Sequence, residues 1–230
     1  MPGTTPFDWG PIRLLVFDMD GTLYRQQALR LAMGRALIAH SIATRDTRTL
    51  SIIASYRRLK ENLAETETAD FEAVLLSGVA ARHECTPAEV AAIIADWIET
   101  RPLPLLAAAR VRGVETVFAR ARASGRQIGI LSDYPATAKL AALDLAADFI
   151  VAAGDPDIGV MKPHPRGLQS LAARAGVTPK ETVMIGDRPE RDGAAARRAG
   201  TAALIRRRRS LSGWRCFADF TDPLFDGLLP

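Results

Sequence analysis

Asp18 and Asp20, separated by a single residue, end the segment Ile12-Arg13-Leu14-Leu15-Val16-Phe17-Asp18-Met19-Asp20-Gly21-Thr22. The apolar run reads as a buried strand, and the acids with the glycine after them read as the turn beyond it. Ser132 follows Ile128-Gly129-Ile130-Leu131, Lys162 follows Val160-Met161, and Asp187 with Asp192 follows Val183-Met184-Ile185-Gly186. Carboxylates inside such runs would be buried without compensation, whereas the carboxyl ends of strands in open α/β sheets border the crevice where ligands bind. Acids, a hydroxyl and an ammonium collected there are the parts that phosphoryl transfer requires.

The residue types suggest a division of labour. An ionised Asp18 can attack phosphorus and give an aspartyl-phosphate, which splits hydrolysis of a stable ester into two easier displacements. Asp20, just beyond it, suits the acid that protonates the leaving oxygen and later deprotonates water, a task that calls for a raised pKa. Clustered anions would repel a phosphate unless a hard cation with oxygen ligands offsets them, and Mg²⁺ held by Asp18 and Asp187 fits. Lys162 would add a fixed positive charge, and the Ser132 hydroxyl with nearby backbone N–H groups would donate to the phosphate.

Each residue also has an ordinary reading. Asp18 to Gly21 could be a polar turn, Ser132 a turn cap, Lys162 a surface lysine and Asp187 a loop acid. A calcium-binding EF-hand loop is disfavoured, because Leu23 and Leu29 stand where that loop wants glycine and glutamate. The ordered recurrence of all of them at strand ends carries the chemical reading.

At these residues the chain resembles the haloacid dehalogenase-like superfamily: FDMDGTLY, then ILSD, then the lysine of GVMKPHP, then MIGDRPERD, in that order. The resemblance covers essentially the whole core. It implies a Rossmann-like fold with Asp18 as nucleophile, Asp20 as acid/base, Ser132 as phosphate ligand, Lys162 as the neutralising lysine, and Asp187 with Asp192 holding magnesium. The full candidate set adds Thr22 beside Ser132 for substrate binding and counts Asp20 among the metal carboxylates. One departure is Asp133, where many relatives have asparagine; it is left out of the catalytic set.

The elements that must position these groups follow from periodicity. After Tyr24 the strand signals stop and helical stripes take over: Ile52, Tyr56, Leu59 and Leu63, then Phe71, Val74, Leu75 and Val79. Thr86-Pro87-Ala88-Glu89 supplies an N-cap, a proline at the first helical position and a capping-box glutamate. With a weaker stripe over 26–40, residues 25–104 form an inserted bundle of about four helices that ends at a stiff proline linker, Arg101 to Pro104. The insertion resembles the helical cap of phosphoglycolate phosphatase and β-phosphoglucomutase relatives. Helix and strand then alternate: helix 112–124, strand 127–131, helix 135–142, strand 148–152, helix 165–175, strand 182–186, helix 190–199 and strand 202–205. The fold class expected is α/β, a doubly wound parallel sheet built from residues 1–24 and 105–230, with the cap inserted.

Composition narrows the function classes. The chain has 230 residues, 48% hydrophobic and 24% charged, with a net charge of +4, which suits a globular domain with an insertion. The excess charge is concentrated at Arg197, Arg198 and Arg206 to Arg209, read as solvated surface and too local for a nucleic-acid stripe. Arg57 and Arg58 read as a solvated helix face, His164 as a helix-start residue facing solvent, and Tyr24 with Arg25 as a hinge or a substrate contact. Cys85 and Cys216 lack metal-ligand spacing, the N-terminus MPGTTPFDWG lacks a signal-peptide pattern, and no apolar run approaches the ~20 residues that span a bilayer. A cytoplasmic protein with no nucleic-acid or membrane partner is expected, and the sequence does not set its oligomeric state.

The reading is a Mg²⁺-dependent phosphatase for a small phosphorylated metabolite. A phosphomutase uses the same core, and a silent metal- or phosphate-binding protein would keep the fold without turnover. Dehalogenation is disfavoured because it needs neither Asp20 nor magnesium.

Overall fold

The computed structural model describes residues 7–228; residues 1–6 and 229–230, including part of the N-terminal segment read above, lie outside the described residues. Leu14–Phe17 forms β1, every residue of it fully buried, which explains its unbroken apolar composition. β2 (Gln127–Ser132), β3 (Phe149–Ala152), β4 (Thr182–Gly186), β5 (Ala202–Arg206) and β6 (Arg215–Phe217) complete a sheet in the order β3-β2-β1-β4-β5-β6, and every pairing is parallel. Side chains alternate between the two faces. Leu15 and Phe17 join Ile128, Ile130, Val183 and Ile185 in one apolar cluster, while Leu14 and Val16 join Val151 and Met184 in another.

Helices cover both clusters. α6 (Val114–Ala123) and α7 (Thr137–Ala142) supply Val117, Phe118 and Leu140 to the first, and α8 (Arg166–Ala175) and α9 (Ala194–Ala199) supply Leu168, Leu171 and Ala196 to the second. In the register, Phe17 stands beside Ile130 and Ile185, so β1, β2 and β4 deliver Asp18, Ser132 and Asp187 to one edge. Successive strands depart from β1 in opposite directions, and such a switch point opens a crevice at the carboxyl edge.

Between β1 and β2 the chain folds α1 (Gln26–Thr44), α2 (Arg48–Glu65), α3 (Phe71–Arg82), α4 (Pro87–Ile94) and α5 (Leu103–Ala109). α1 to α4 and the turn after α4 make a third cluster, with Leu37, Ile52, Tyr56, Phe71, Leu75, Val90 and Trp97, closed from the core side by Ala153 and Met161, whereas Leu29 of α1 and Leu106 of α5 pack into the first cluster. The capping box of α4 is formed as its sequence specifies: the Glu89 N–H donates to the Thr86 hydroxyl at 3.2 Å, and the Thr86 N–H donates to the Glu89 carboxylate at 2.8 Å.

Several expectations change. Val74 is 48% exposed, because the buried stripe of α3 runs through Phe71, Leu75, Val79 and Ala80. The proline linker at 101–104 is the start of α5: Pro102 is its N-cap, and proline is compatible with a first turn, whose N–H groups have no intrahelical partner anyway. A π-helical turn, Ala95–Thr100, extends α4, and another, Pro189–Gly193, precedes α9 where continuous helix was expected. β6, only three residues long, carried too little pattern to be read. The two crossings between core and insertion are joined to each other: the Arg25 N–H donates to the Ala109 carbonyl at 2.8 Å and the Val111 N–H to the Leu23 carbonyl at 2.9 Å. No helix among the described residues is long and apolar enough to cross a membrane.

Candidate active site

Asp18 leaves β1 with its N–H donated to the Ile185 carbonyl at 2.9 Å, so the sheet itself aims the carboxylate. One carboxylate oxygen accepts from Lys162 Nζ and the other from the Thr22 hydroxyl at 3.0 Å. Lys162 Nζ also donates to Asp192 at 2.8 Å. Burial pushes the Asp18 carboxyl well above the usual carboxylate range, against the pull of Lys162, and Asp192 and Asp187 push it further up. Burial would depress Lys162, but the flanking Asp18 and Asp192 outweigh it and hold the ammonium well above its ordinary value.

Asp192 also organises the loop after β4. Its second oxygen accepts from the N–H groups of Asp187 at 3.0 Å and Arg188 at 2.9 Å, an arrangement the π-helical turn permits by bringing Asp192 back under the strand end. Glycine is needed twice here. Gly21 has φ +95°, and a Cβ on it would overlap the Asp187 carboxylate; a Cβ on Gly186 would overlap the Asp192 side chain. Asp18, Asp187 and Asp192 each offer an oxygen, all within 4.8 Å of one another, and Asp187 Oδ1 is buried without a hydrogen-bond partner among the described residues. Burial, then Asp192, pushes Asp187 up to about 6. An orphaned oxygen in an all-carboxylate donor set fits a hard divalent cation.

Asp20 stands apart from that trio. Its carboxylate accepts from Lys139 Nζ at 2.8 and 3.1 Å and from the Tyr24 hydroxyl. Burial alone would raise Asp20, yet Lys139 and Tyr24 outweigh it and hold the carboxyl below its ordinary value, contrary to the raised pKa expected of an acid. The sequence reading missed Lys139. Its signal was present: Ala136, Lys139, Leu140 and Leu143 share one helical stripe, and a lysine on a buried stripe is an anomaly.

Ser132 is fully buried at the end of β2, where its hydroxyl accepts from the Tyr134 N–H at 3.1 Å. Thr22 is likewise buried and spends its hydroxyl on Asp18. The Asp133 side chain turns toward the loop and accepts from the Lys162 N–H at 3.2 Å. His164 accepts from the Arg166 N–H at 3.2 Å, half-buried and outside the cleft. Arg206 is not mere surface: one end donates to the Gly21 carbonyl, and its Nε is buried without a hydrogen-bond partner among the described residues.

Asp18, Asp20, Asp133, Lys139, Lys162, Asp187 and Asp192 floor a cleft of about 660 Å³, with Ser132 and Thr22 fully buried behind them; its opposite wall is the helical insertion, through Arg30, Met33, Arg57, Lys60 and Trp97 among others. Arg57, expected on a solvated face, is exposed and also borders the cleft. The insertion grips the loop after β4: Glu61 of α2 accepts from Arg188 at 3.0 and 3.1 Å and from Arg191 at 2.9 Å.

With this geometry, similarity to known proteins is informative. The family model for haloacid dehalogenase-like hydrolases matches residues 12–200. The chain belongs to that family. A glyceraldehyde 3-phosphate phosphatase from Methanopyrus kandleri is 30% identical over 208 residues, 86% of this chain and 84% of that protein. A phosphoglycolate phosphatase from Xylella fastidiosa is 27% identical over 226 residues, 95% of this chain and 89% of that protein. Among solved structures, a 2-haloacid dehalogenase from Pseudomonas syringae superposes with a TM-score of 0.64 at 19% identity, covering 91% of this chain and 95% of that one. At that identity the likeness speaks for the fold alone. The chain is thus an enzyme, a hydrolase whose near-full-length curated relatives are phosphatases.

Proposed function

We propose that this hydrolase is a Mg²⁺-dependent phosphatase that cleaves a small phosphomonoester through a phosphoryl group carried on Asp18. The observation that carries the reading is Asp18 at the end of β1, bonded to Lys162 and within 4.8 Å of Asp187 and Asp192. The core, residues 1–24 and 105–230, supplies the chemistry, and residues 25–104 act as its cap.

An Asp18 oxygen attacks phosphorus and the bond to the leaving oxygen breaks, while protonated Asp20 gives its proton to that oxygen. Asp20 is ionised in the resting site; the negative charge of an arriving phosphate beside it raises its proton affinity. Water then attacks the aspartyl-phosphate, Asp20 takes the water's proton, and phosphate leaves with Asp18 restored. Lys162 offsets charge on Asp18 and on the phosphoryl oxygens, and the Ser132 hydroxyl, which only accepts from the protein, retains its proton for the phosphate. Thr22 holds Asp18 in line, acting on the substrate through the nucleophile. Asp18, Asp187 and Asp192 would hold Mg²⁺, which supplies positive charge against the carboxylates and polarises a phosphoryl oxygen. The Asp20 carboxylate, already paired with Lys139, is free of that task.

A phosphomutase would use the same core, but the near-full-length relatives named as phosphatases favour hydrolysis. A Mg²⁺-supplemented screen of phosphorylated metabolites, followed by phosphate release and by mass spectrometry of acid-quenched enzyme, tests the reading. Turnover with phosphate on Asp18 is expected; turnover without any phosphoenzyme, or none with any ester, overturns it.

A further inference from the structure

We infer that Lys60 is the residue through which the helical insertion selects its substrate, by binding a carboxylate carried on the leaving group. The inference rests on the phosphatase reading and deepens it. Three lysines are buried among the described residues: Lys60, Lys139 and Lys162. Lys139 pairs with Asp20, and Lys162 pairs with Asp18 and Asp192. Lys60, 6% exposed, has neither a carboxylate within ion-pair distance nor a hydrogen bond among the described residues. Its Nζ is enclosed by rings instead, 3.9 Å from the centroid of Tyr134, 5.0 Å from Phe71 and 5.7 Å from Tyr56.

A buried ammonium without a counter-ion is costly, and rings return only part of that cost. Lys60 lines the same cleft as Asp18, Asp20 and Lys162, so a ligand in that cleft can supply the missing charge. The charged groups that act on it are Asp133, Glu72, Asp20 and Lys139, and none forms an ion pair with it among the described residues. Asp133 is already engaged by the Lys162 N–H.

The site also describes its ligand. The Lys60 ammonium, walled by aromatic rings, matches one negative charge; Arg30 and Arg57 also line the insertion's wall, so a bisphosphate is the competing ligand that the test must include. The Tyr134 ring contacts Lys60 on one hand and lies 5.0 Å from Lys139 Nζ on the other, so a single ring separates the insertion's cation from the Lys139–Asp20 pair. A carboxylate on Lys60 and a phosphoryl group on Asp18 are therefore bridged by a short carbon chain. The substrate class is a phosphorylated short-chain acid.

The test compares kcat/KM of the full chain, with Mg²⁺, on a phosphorylated short-chain hydroxy acid, its carboxamide, a bisphosphate of equal length and an aryl phosphate. The acid should be preferred over its carboxamide by about 10- to 100-fold, the range of a charge-assisted hydrogen bond. Lys60→Met should bring that ratio close to one, and Lys60→Arg should keep a preference for the acid. Wild-type indifference to the carboxylate, a ratio unchanged in Lys60→Met, or a preferred bisphosphate would overturn the assignment. If no ester is hydrolysed, including the aryl phosphate, the phosphatase reading itself fails and this one falls with it. A measurement free of any variant uses the unphosphorylated acid and its carboxamide as inhibitors of aryl phosphate hydrolysis by the wild-type protein. The acid should inhibit at least tenfold better; equal inhibition would refute the role of Lys60.

Discussion

Arg191 ties the helical insertion to the loop that carries Asp187 and Asp192: its guanidinium donates to the Glu61 carboxylate at 2.9 Å and to the Glu61 main-chain carbonyl at 3.2 Å. The same side chain donates to the Lys162 carbonyl at 2.9 Å, so it braces two catalytic loops and α2 together. Arg191→Met should lower stability in urea denaturation by about 2 kcal/mol, the scale of losing hydrogen bonds from a charged donor. An unchanged midpoint would show that the brace contributes nothing.

Asp18→Asn should abolish turnover while the protein stays folded, because an amide fills the same volume but cannot form the acyl phosphate. Circular dichroism and phosphate release measure the two halves of that statement. Near-wild-type rates in the folded variant would remove Asp18 from the mechanism.

Asp20→Asn leaves the nucleophile and the carboxylate trio in place. The expected loss is acid/base assistance, about 10²- to 10⁴-fold in kcat. Because the amide can still accept from Lys139 but carries no charge to pair with it, Lys139→Met should produce a related but smaller loss by freeing Asp20 from its partner. Equal rates in wild type and Asp20→Asn would contradict the assigned role.

Activity should stop in excess chelator and return with Mg²⁺. Asp187→Ala removes the donor whose Oδ1 has no protein partner, so it should raise the Mg²⁺ concentration required. Calorimetric titration reads the metal affinity independently of turnover. Full activity in chelator would point to chemistry without a metal.

Lys60 should make stability depend on pH. Burial pushes its ammonium down to about 8 from an ordinary 10.5, only partly restored by Asp133 and Glu72. A depressed cation weakens the fold wherever both states are charged, so the full penalty applies below about pH 8 and fades as pH rises toward 10.5. At pH 7, Lys60→Met should be the more stable protein by something on the order of 3 kcal/mol, an advantage that shrinks with rising pH. Chemical denaturation at two pH values decides it; a gap independent of pH would mean that Lys60 is not buried as a cation.

Much of this was legible in the sequence, for a physical reason. β1, β2 and β4 are buried on both faces, so their apolar runs are continuous and the polar residues that end them stand out. The partners of those residues were harder to see because they come from helices, where one charge among apolar neighbours looks like noise. Lys60 falls on the stripe of Tyr56 and Leu63 just as Lys139 falls on that of Leu140 and Leu143. Reading each stripe for the residue that does not belong would have found both. Arg191 and Arg206 could not be found that way, since their contacts depend on a π-helical turn and on a strand end meeting the Gly21 loop.

The paired crossings at Leu23–Arg25 and Ala109–Val111 mean that, to the sheet, everything between them is the tip of a hairpin. The entropic cost of closing such a loop grows only with the logarithm of its length, so the length of the tip matters little to the sheet provided that contacts such as Leu29 and Leu106 on its apolar cluster are kept. The helical piece can therefore be exchanged for another of different size while the strand ends keep their places. Under the proposed division of labour between core and insertion, a lineage built on this plan would acquire new substrates by replacing one contiguous stretch of chain and leaving the reaction untouched.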